Sequence, residues 1–570
     1  MRYTYTYKWL IVLLFVFIFI QTLTQLLLPT LMGTIVDDGV VVGDIPYIWK
    51  IGAIMLIVAA LGVVMSTVVS FYASKVAMSV GRDIREDVFR KVTYFSIHDM
   101  QSIGTASLIT RTTNDITQIQ QALVMVLRMF LTAPFMLIGG IAMAFMKDSK
   151  LSLVILLAMP FIIVTVYMVM KKGYPLFQAV QKRLDQLNVV LRENLTGVHV
   201  IRSFTKQKDE GKRLSEANAN LMNVSIAVNR LMAFTMPFMM LLMNMTIVFI
   251  IWFGGLRIES GMMEIGDLMA FIQYVMLILM ALMMASMMFV IIPRASVSAN
   301  RIREVLELET EKKSLGEKRL GESSITVTFR DLSFAYPDAD QLALSGVNFT
   351  AKPGEMTAII GGTGSGKTTL IQLLPRFYHV REGQILFNNE PIDWYDETDL
   401  RENIGYVAQQ ALLFSGTVKE NLRYGKETAS DEEIVAAAKI AQAHDFIMQL
   451  PNGYESYIEQ GGANLSGGQK QRLSIARAIV RRPALYIFDD SFSALDYTTD
   501  RKLRDALASE TEKATVIVVA QRISSVIDAD QIIVLDKGKM VGKGTHDELL
   551  ETCEVYKEIV ASQMGEGEGA

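Results

Sequence analysis

A chain of 570 residues exceeds one ordinary domain. Hydrophobic residues make up 51% of it and the mean hydropathy is +0.31, high for a soluble protein, while a net charge of −4 excludes a nucleic-acid partner held by a basic surface. The single Cys553 excludes an internal disulfide framework.

Nearly all long apolar runs lie before about residue 293, so a membrane part is expected first and a water-facing part second. Six segments, about 9–36, 51–78, 123–146, 151–170, 232–254 and 267–292, are apolar enough to cross a hydrocarbon core of about 30 Å, which takes roughly 20 residues. They define a transmembrane domain over residues 1–292. The first run begins near Trp9, is too long for a signal-peptide core and has no small-residue cleavage site behind it, so no cleavable leader is expected. Long connections follow the second and fourth spans. They hold about 16 Lys and Arg, against about four in the short connections, which places them and both termini in the cytoplasm by the positive-inside rule.

Within those connections, Ser79–Gln121 and Gln178–Val228 carry helical periodicity without a proline, so the helices should continue well past the bilayer. Two methionine stripes each follow one helical face: Met232, Met236, Met239, Met240 and Met243 in the fifth span, and Met276, Met280, Met283, Met284 and Met287 in the sixth. Such a face suits either a promiscuous apolar cavity or plain helix and lipid packing, and the sequence does not separate the two. Ionisable residues are scarce in the spans, and Arg128, toward the cytoplasmic end, is the main one. An apolar or amphipathic cargo fits that scarcity better than a proton relay. No mechanism follows from Pro29, Pro134, Pro160 or Pro237.

Residues 293–324 are charged and poor in large apolar side chains, as in Glu304-Val-Leu-Glu-Leu-Glu-Thr-Glu-Lys-Lys-Ser-Leu-Gly316, and are expected to form a linker. Residues 325–570 then alternate strands and helices as an α/β domain, with a Gly- and Glu-rich tail at 565–570 expected to be disordered. Gly361-Gly362-Thr363-Gly364-Ser365-Gly366-Lys367-Thr368 fits G-x-x-x-x-G-K-[ST], a loop whose glycines let backbone N–H groups reach phosphate oxygens at a helix start. Lys367 should reach the β- and γ-phosphates of ATP, Thr368 should offer its hydroxyl to Mg²⁺, and Thr369 follows in the same turn. Leu465-Ser466-Gly467-Gly468-Gln469 opens another helix and offers a second anion-gripping N-terminus. The apolar run Leu485–Phe488 ends in Asp489, placed as an acid that holds Mg²⁺ through water, and Asp490 follows it.

In this order the motifs resemble the nucleotide-binding domain of ABC transporters, and six spans with two long helical hairpins resemble the membrane domain of ABC exporters. Gly104, Leu108, Arg111 and Asp115 are similar to the family's first hairpin loop, and Glu193, Gly197, Arg202 and Phe204 to its second. Docking onto ATPase domains is expected near 98–103 and 205–215. The resemblance implies that Tyr336 stacks on adenine, with a plain strand-end Tyr as the alternative. It implies that Gln409, or Gln410 one position on, contacts metal and water, and that Ser493–Asp496 is a dimer-contact loop. It also implies that loop 361–368 of one subunit closes on ATP with Leu465–Gln469 of its partner.

Two positions depart from the family. Asp490 stands where most members have Glu, and Gln521 where most have His. Asp is one methylene shorter, and a misplacement of about 1 Å costs about a hundredfold in rate. Gln cannot carry the charge of a protonated His. Asp490, Gln521 and Gln409 are therefore the expected catalytic set, poor at hydrolysis, beside an unaltered Leu465–Gln469 signature. The pattern resembles the degenerate-site subunit of bacterial heterodimeric multidrug ABC exporters. It implies a partner half-transporter with Glu and His at these positions, a bacterial inner-membrane location, and amphipathic or hydrophobic cargo such as drugs or lipids. A homodimeric lipid or lipopeptide flippase is one alternative. An ATP-switched regulatory membrane subunit without transport is another.

Overall fold

A computed structural model describes residues 2–308, 316–321, 324–337 and 339–564. Of the expected linker, 309–315 and 322–323 lie outside the described residues, as does the tail 565–570. The chain divides into two compact units: residues 1–93 with 105–308, and residues 94–104 with 309–570.

The helices that matter here are α1 (Lys8–Val40), α2 (Ile45–Thr93), α3 (Ile97–Ile103), α4 (Thr105–Lys147), α5 (Ser152–Thr196), α6 (Gln207–Glu259) and α7 (Ile265–Glu307). All except α3 contain a stretch long and apolar enough to cross a membrane. At about 1.5 Å per residue, α2, α5 and α6 far exceed a core of about 30 Å, as the proline-free connections predict. Two π-helical segments, Arg111–Asp115 and Val126–Phe130, interrupt α4.

The sixth spanning helix does not stop at the predicted domain edge of 292. It runs through Pro293 to Glu307. Proline removes a backbone hydrogen bond there, but a buried stripe beyond it holds the helix together: Ser298, Ile302 and Val305 sit at helical spacing and are all buried. Asp115 accepts from Ser298 Oγ at 2.8 Å and pairs with Arg301 at 3.3 Å. Arg111 pairs with Glu304 at 3.1 Å and donates to the Arg301 carbonyl at 2.9 Å. The charges that read as linker are the polar partners of the first hairpin.

Tyr94–Gly104 packs with the second unit. Ser96 and Asp99 form a capping box at the start of α3, and Gly104 ends it at φ 80°. Ile97 packs on an apolar core of that unit, and Gln101 hydrogen-bonds the Tyr378 hydroxyl. The predicted dock at 98–103 is this helix. The other, 205–215, is a turn with Thr205 at φ 57° followed by the start of α6, where Arg213 pairs with Glu193 at 2.7 Å.

A cavity of about 900 Å³ opens among α1, α2, α4 and α7. Met276, Met280 and Met284 of the sixth-span stripe line it, Met283 is exposed, and the side chain of Met287 lies outside the described residues. The fifth-span stripe does not line it. Met232, Met236 and Met240 are exposed, while Met239 and Met243 pack on the helical core.

The second unit holds β1 (Val327–Phe334), β2 (Leu344–Ala351), β3 (Met356–Ile360), β4 (Glu382–Phe387), β5 (Ile404–Val407), β6 (Leu485–Asp489), β7 (Thr515–Val519), β8 (Gln531–Asp536) and β9 (Lys539–Gly544). β2, β1 and β4 pair antiparallel in a smaller sheet. The larger sheet runs β9-β8-β3-β7-β6-β5, parallel except for β9. β6 is an unbroken apolar run up to Asp489 and β7 is apolar after Thr515; both are buried along their length, as strands covered on both faces should be. Parallel strands put their C-terminal ends on one edge, where ligand-binding loops gather.

Candidate nucleotide site

Four loops leave that edge. β3 leads into 361–366 and then α8 (Lys367–Gln372). β5 leads to Gln409, β6 ends in Asp489 and leads to Asp490, and β7 leads to Gln521. The topology alone therefore assembles one site from residues up to 160 positions apart, since Gly361 and Gln521 share it. At Gly361 an added Cβ would meet the Leu535 carbonyl oxygen at 2.1 Å, and Gly366 sits at φ 96° directly before α8. Both positions require glycine. Gly362, Thr363 and Gly364 are exposed at the loop's tip.

Lys367 is buried, and its Nζ donates to the carbonyls of Gly361 and Gly362 at 2.8 Å each. Burial pushes its pKa down, against the pull of Asp490 and Asp489. Ser365 Oγ is buried with no hydrogen-bond partner. An orphan hydroxyl inside the loop, beside an ammonium group turned back on the loop's own carbonyls, is what a polyphosphate would satisfy. The residues fit ATP.

Thr368 Oγ1 donates to Asp489 Oδ1 at 3.0 Å, bringing two expected Mg²⁺ ligands together. Asp489 is 2% exposed, and burial raises its pKa, with the Thr368 hydrogen bond opposing. A hydroxyl and a carboxylate in one pocket are the hard oxygen donors that Mg²⁺ prefers, so the donor set fits. Gln409, the third expected ligand, reaches Asp490: its Nε2 donates to Oδ2 at 3.3 Å, and the contact is made by Gln409 and not Gln410. Gln521 Nε2 donates to the same oxygen at 2.8 Å. The three expected catalytic side chains thus converge on one carboxylate oxygen. Asp490 itself is held at φ 47°, its N–H donating to the Val519 carbonyl and its own carbonyl accepting from Ser493 Oγ, both at 2.9 Å. Burial raises the pKa of Asp490, opposed by hydrogen bonds from Gln409 and Ser493 and by the charges of Lys367 and Arg522.

Tyr336 is half-buried. Its hydroxyl lies 2.9 Å from Thr369 Oγ1 and its ring stands edge-on to Tyr378 at 5.2 Å. The signature opens α9 (Gly467–Val480) through a reciprocal capping box: Gln469 N–H donates to Ser466 Oγ at 3.4 Å and Ser466 N–H to Gln469 Oε1 at 2.9 Å. Ser466 and Gly467 are exposed, whereas Leu465 is buried in the apolar core and anchors the turn. Gly468 abuts the 493–496 loop, since a Cβ there would lie 3.2 Å from the Ala494 carbonyl oxygen. Among the described residues no hydrogen bond joins 465–469 to 361–369.

Sequence reasoning missed two supports. Ser491, fully buried, donates through Oγ to the Val407 carbonyl at 3.2 Å and ties the end of β6 to the strand that carries Gln409. Gln563, in α11 (Glu554–Met564; α10 is Tyr497–Glu510), clamps the 521–523 loop from behind. Its Nε2 donates to the Gln521 carbonyl and its Oε1 accepts from the Ile523 N–H, both at 2.7 Å. A lone polar residue late in a helix carries no sequence signal of that kind.

Residues 11–313 match the family described as the ABC transporter transmembrane region, and residues 344–493 match that described as ABC transporter. The ABC transporter ATP-binding protein YfiB of Bacillus subtilis (strain 168) is 43% identical over 543 residues, covering 95% of this chain and 94% of its own. An ATP-dependent lipid A-core flippase of Syntrophus aciditrophicus (strain SB) is 31% identical over 488 residues, 85% of this chain and 80% of its own. A solved bacterial Atm1-family ABC exporter with ATP bound superposes with a TM-score of 0.80 at 25% identity, over 98% of each chain. The chain belongs to the ABC transporter family. It is an exporter half-transporter, with a membrane domain fused to an ATPase domain that couples ATP to transport.

Proposed function

We propose that this chain is the degenerate-site half of a heterodimeric exporter of amphipathic or hydrophobic compounds. One observation carries the reading: the oxygen that Asp490 would offer a water is already engaged by Gln521 at 2.8 Å and Gln409 at 3.3 Å. A carboxylate oxygen occupied by two amide donors is not free to orient a water, and neither amide exchanges a proton as an imidazole does. Loop 361–368, with Thr369 behind it and Tyr336 beside the base, binds ATP. Thr368, Asp489 and Gln409 would hold Mg²⁺, whose charge would offset that building on the phosphate oxygens. Ser466, Gly467 and Gly468, on a turn shaped by Leu465 and Gln469, close on the partner's ATP. That partner carries Glu and His and does most of the hydrolysis. The protein sits in a bacterial inner membrane, and the asymmetry of basic residues supports a cytoplasmic ATPase domain and cytoplasmic termini.

The test is recovery of the tagged chain from its native membrane. A co-purified second half-transporter, with ATP turnover far above that of this chain alone, is expected. A homodimer with fast turnover refutes the reading and favours the second one, a homodimeric lipid flippase, which the 31% identical lipid A-core flippase supports. ATP-dependent flux in vesicles excludes a purely regulatory subunit.

A further inference from the structure

The membrane cavity has a chemical polarity that the export reading leaves unexplained. Of the side chains that line it, Arg128 alone is charged. It forms no ion pair and no side-chain hydrogen bond among the described residues, although it lies in a spanning helix. No acid lines the cavity to neutralise it. Unpaired charge at such a place is costly and is retained for a ligand or a pathway.

The local backbone points the same way. Arg128 sits at the middle of the π-helical segment Val126–Phe130. A wide turn loosens the usual hydrogen-bond ladder and shifts the register of the side chains, and such turns recur at functional sites. Here the Thr132 hydroxyl donates to the Arg128 carbonyl and steadies the distorted turn. Three amides, Gln21, Gln25 and Gln273, and the Ser66 hydroxyl complete the polar part of the wall. The oxygen of Gln21 is buried without a partner. An amide can present either end after a flip, so it serves a ligand donor or acceptor.

The rest of the wall is apolar and includes the sixth-span methionines Met276, Met280 and Met284. Arg128 lies 19 residues before Lys147, so it sits about 28 Å along the helix from that end, near the far margin of a core of about 30 Å. A molecule with its head at Arg128 can therefore lay an apolar body along the methionines toward the centre of the bilayer. The volume of about 900 Å³ suits a molecule of drug or single-chain lipid size.

We propose that this cavity selects amphiphiles with an acidic head, a carboxylate or phosphate paired with the Arg128 guanidinium, and an apolar body against the methionines. The inference deepens the export reading and rests on it for the cavity's purpose. The test needs neither ATP nor flux, so the two can fail separately.

The full-length protein, as purified with any bound partner, is placed in phosphatidylcholine nanodiscs. Binding is measured for three fluorescent dodecyl probes differing only in the head: carboxylate, methyl ester and trimethylammonium. The carboxylate should bind at least about tenfold more tightly than the other two. Arg128→Gln should erase that preference and leave ester binding unchanged, and Arg128→Lys should keep most of it through the retained charge. Equal binding of the three probes by the unaltered protein, or an undiminished preference in Arg128→Gln, overturns the proposal. If Arg128→Gln does not fold, Arg128→Met, which keeps an apolar stem and deletes the charge, takes its place with the same two outcomes. Adding phosphatidylglycerol to the nanodisc then assigns the source: competition with the carboxylate identifies a bilayer lipid as the natural head, and its absence a soluble amphiphile. Charge-selective binding without ATP-driven flux would remove the export reading and leave the cavity's specificity standing.

Discussion

Replacing Asp490 by Glu and Gln521 by His together should raise hydrolysis by this chain's own site by about tenfold to a hundredfold. The added methylene extends the carboxylate by over about 1 Å, and a positional error of about 1 Å is worth up to about a hundredfold, or about 2.7 kcal/mol of barrier. Asp490→Glu alone should gain less than about tenfold. Gln521 and Gln409 donate to a point set by the shorter side chain, at 2.8 and 3.3 Å, and the longer one leaves both amides misaligned. Each such bond to a charged group is worth about 1.5–3 kcal/mol. The assay is phosphate release at saturating ATP by the purified chain alone in lipid, with ATP affinity measured separately and expected to stay unchanged. If the unaltered chain already turns over as fast as the double variant, the geometry at Asp490 does not limit the reaction and the argument fails.

Lys367→Ala should weaken ATP binding by about tenfold to a hundredfold, because it removes charge-assisted contacts worth about 1.5–3 kcal/mol each; calorimetry that finds unchanged affinity would detach this lysine from the phosphates. Ser466→Ala removes a helix cap worth about 1 kcal/mol and should lower turnover of the assembled pair while this chain's own ATP affinity holds within about twofold; a drop in its own affinity contradicts the division of labour between subunits. Gln563→Met keeps the side chain's length but deletes both bonds to the 521–523 loop, so amide exchange there should quicken by about tenfold while the core strands stay protected; unchanged exchange refutes the clamp. Burial disfavours the Asp490 anion and raises its pKa, so turnover should fall, as pH drops, at a point above the ordinary Asp value of about 3.9. Gln521→Leu removes a donor that favours the anion and should move that limb higher still; a limb at the ordinary value speaks against the buried geometry.

The phosphate loop, Asp489 and the signature were legible because their chemistry is local: a loop of glycines, an acid at the end of an apolar strand, a capped helix start. Parallel strands then do the rest, since each ends at the same edge. Leu465 shows the limit of a motif, because the pattern groups it with ligand-facing residues and the fold buries it. The sixth helix was harder. Its final turns carry Arg301, Arg303, Glu304 and Glu307, which read as a solvated linker until Asp115 and Arg111 are brought beside Arg301 from 186 and 190 residues away. Those partners are set by tertiary packing, and a helical stripe of only Ser298, Ile302 and Val305 is too sparse to declare itself. The convergence of Gln409 and Gln521 on one oxygen of Asp490 was likewise invisible, since it depends on three separate loops.

The placement of Tyr94–Gly104 has a consequence for how the protein is made. This segment joins a unit whose remaining residues begin at 309, so the ribosome must add about 200 residues before any part of its binding surface exists. Tyr378, its hydrogen-bond partner, comes later still. At roughly 5–20 residues per second, that delay is on the order of 10–60 seconds. Throughout it, Ile97 has no native surface to cover it, while the helices on either side of α3 are already entering the bilayer. Docking of this short helix is therefore delayed until sequence made long after it has emerged, and the order of synthesis leaves Ile97 uncovered for that interval.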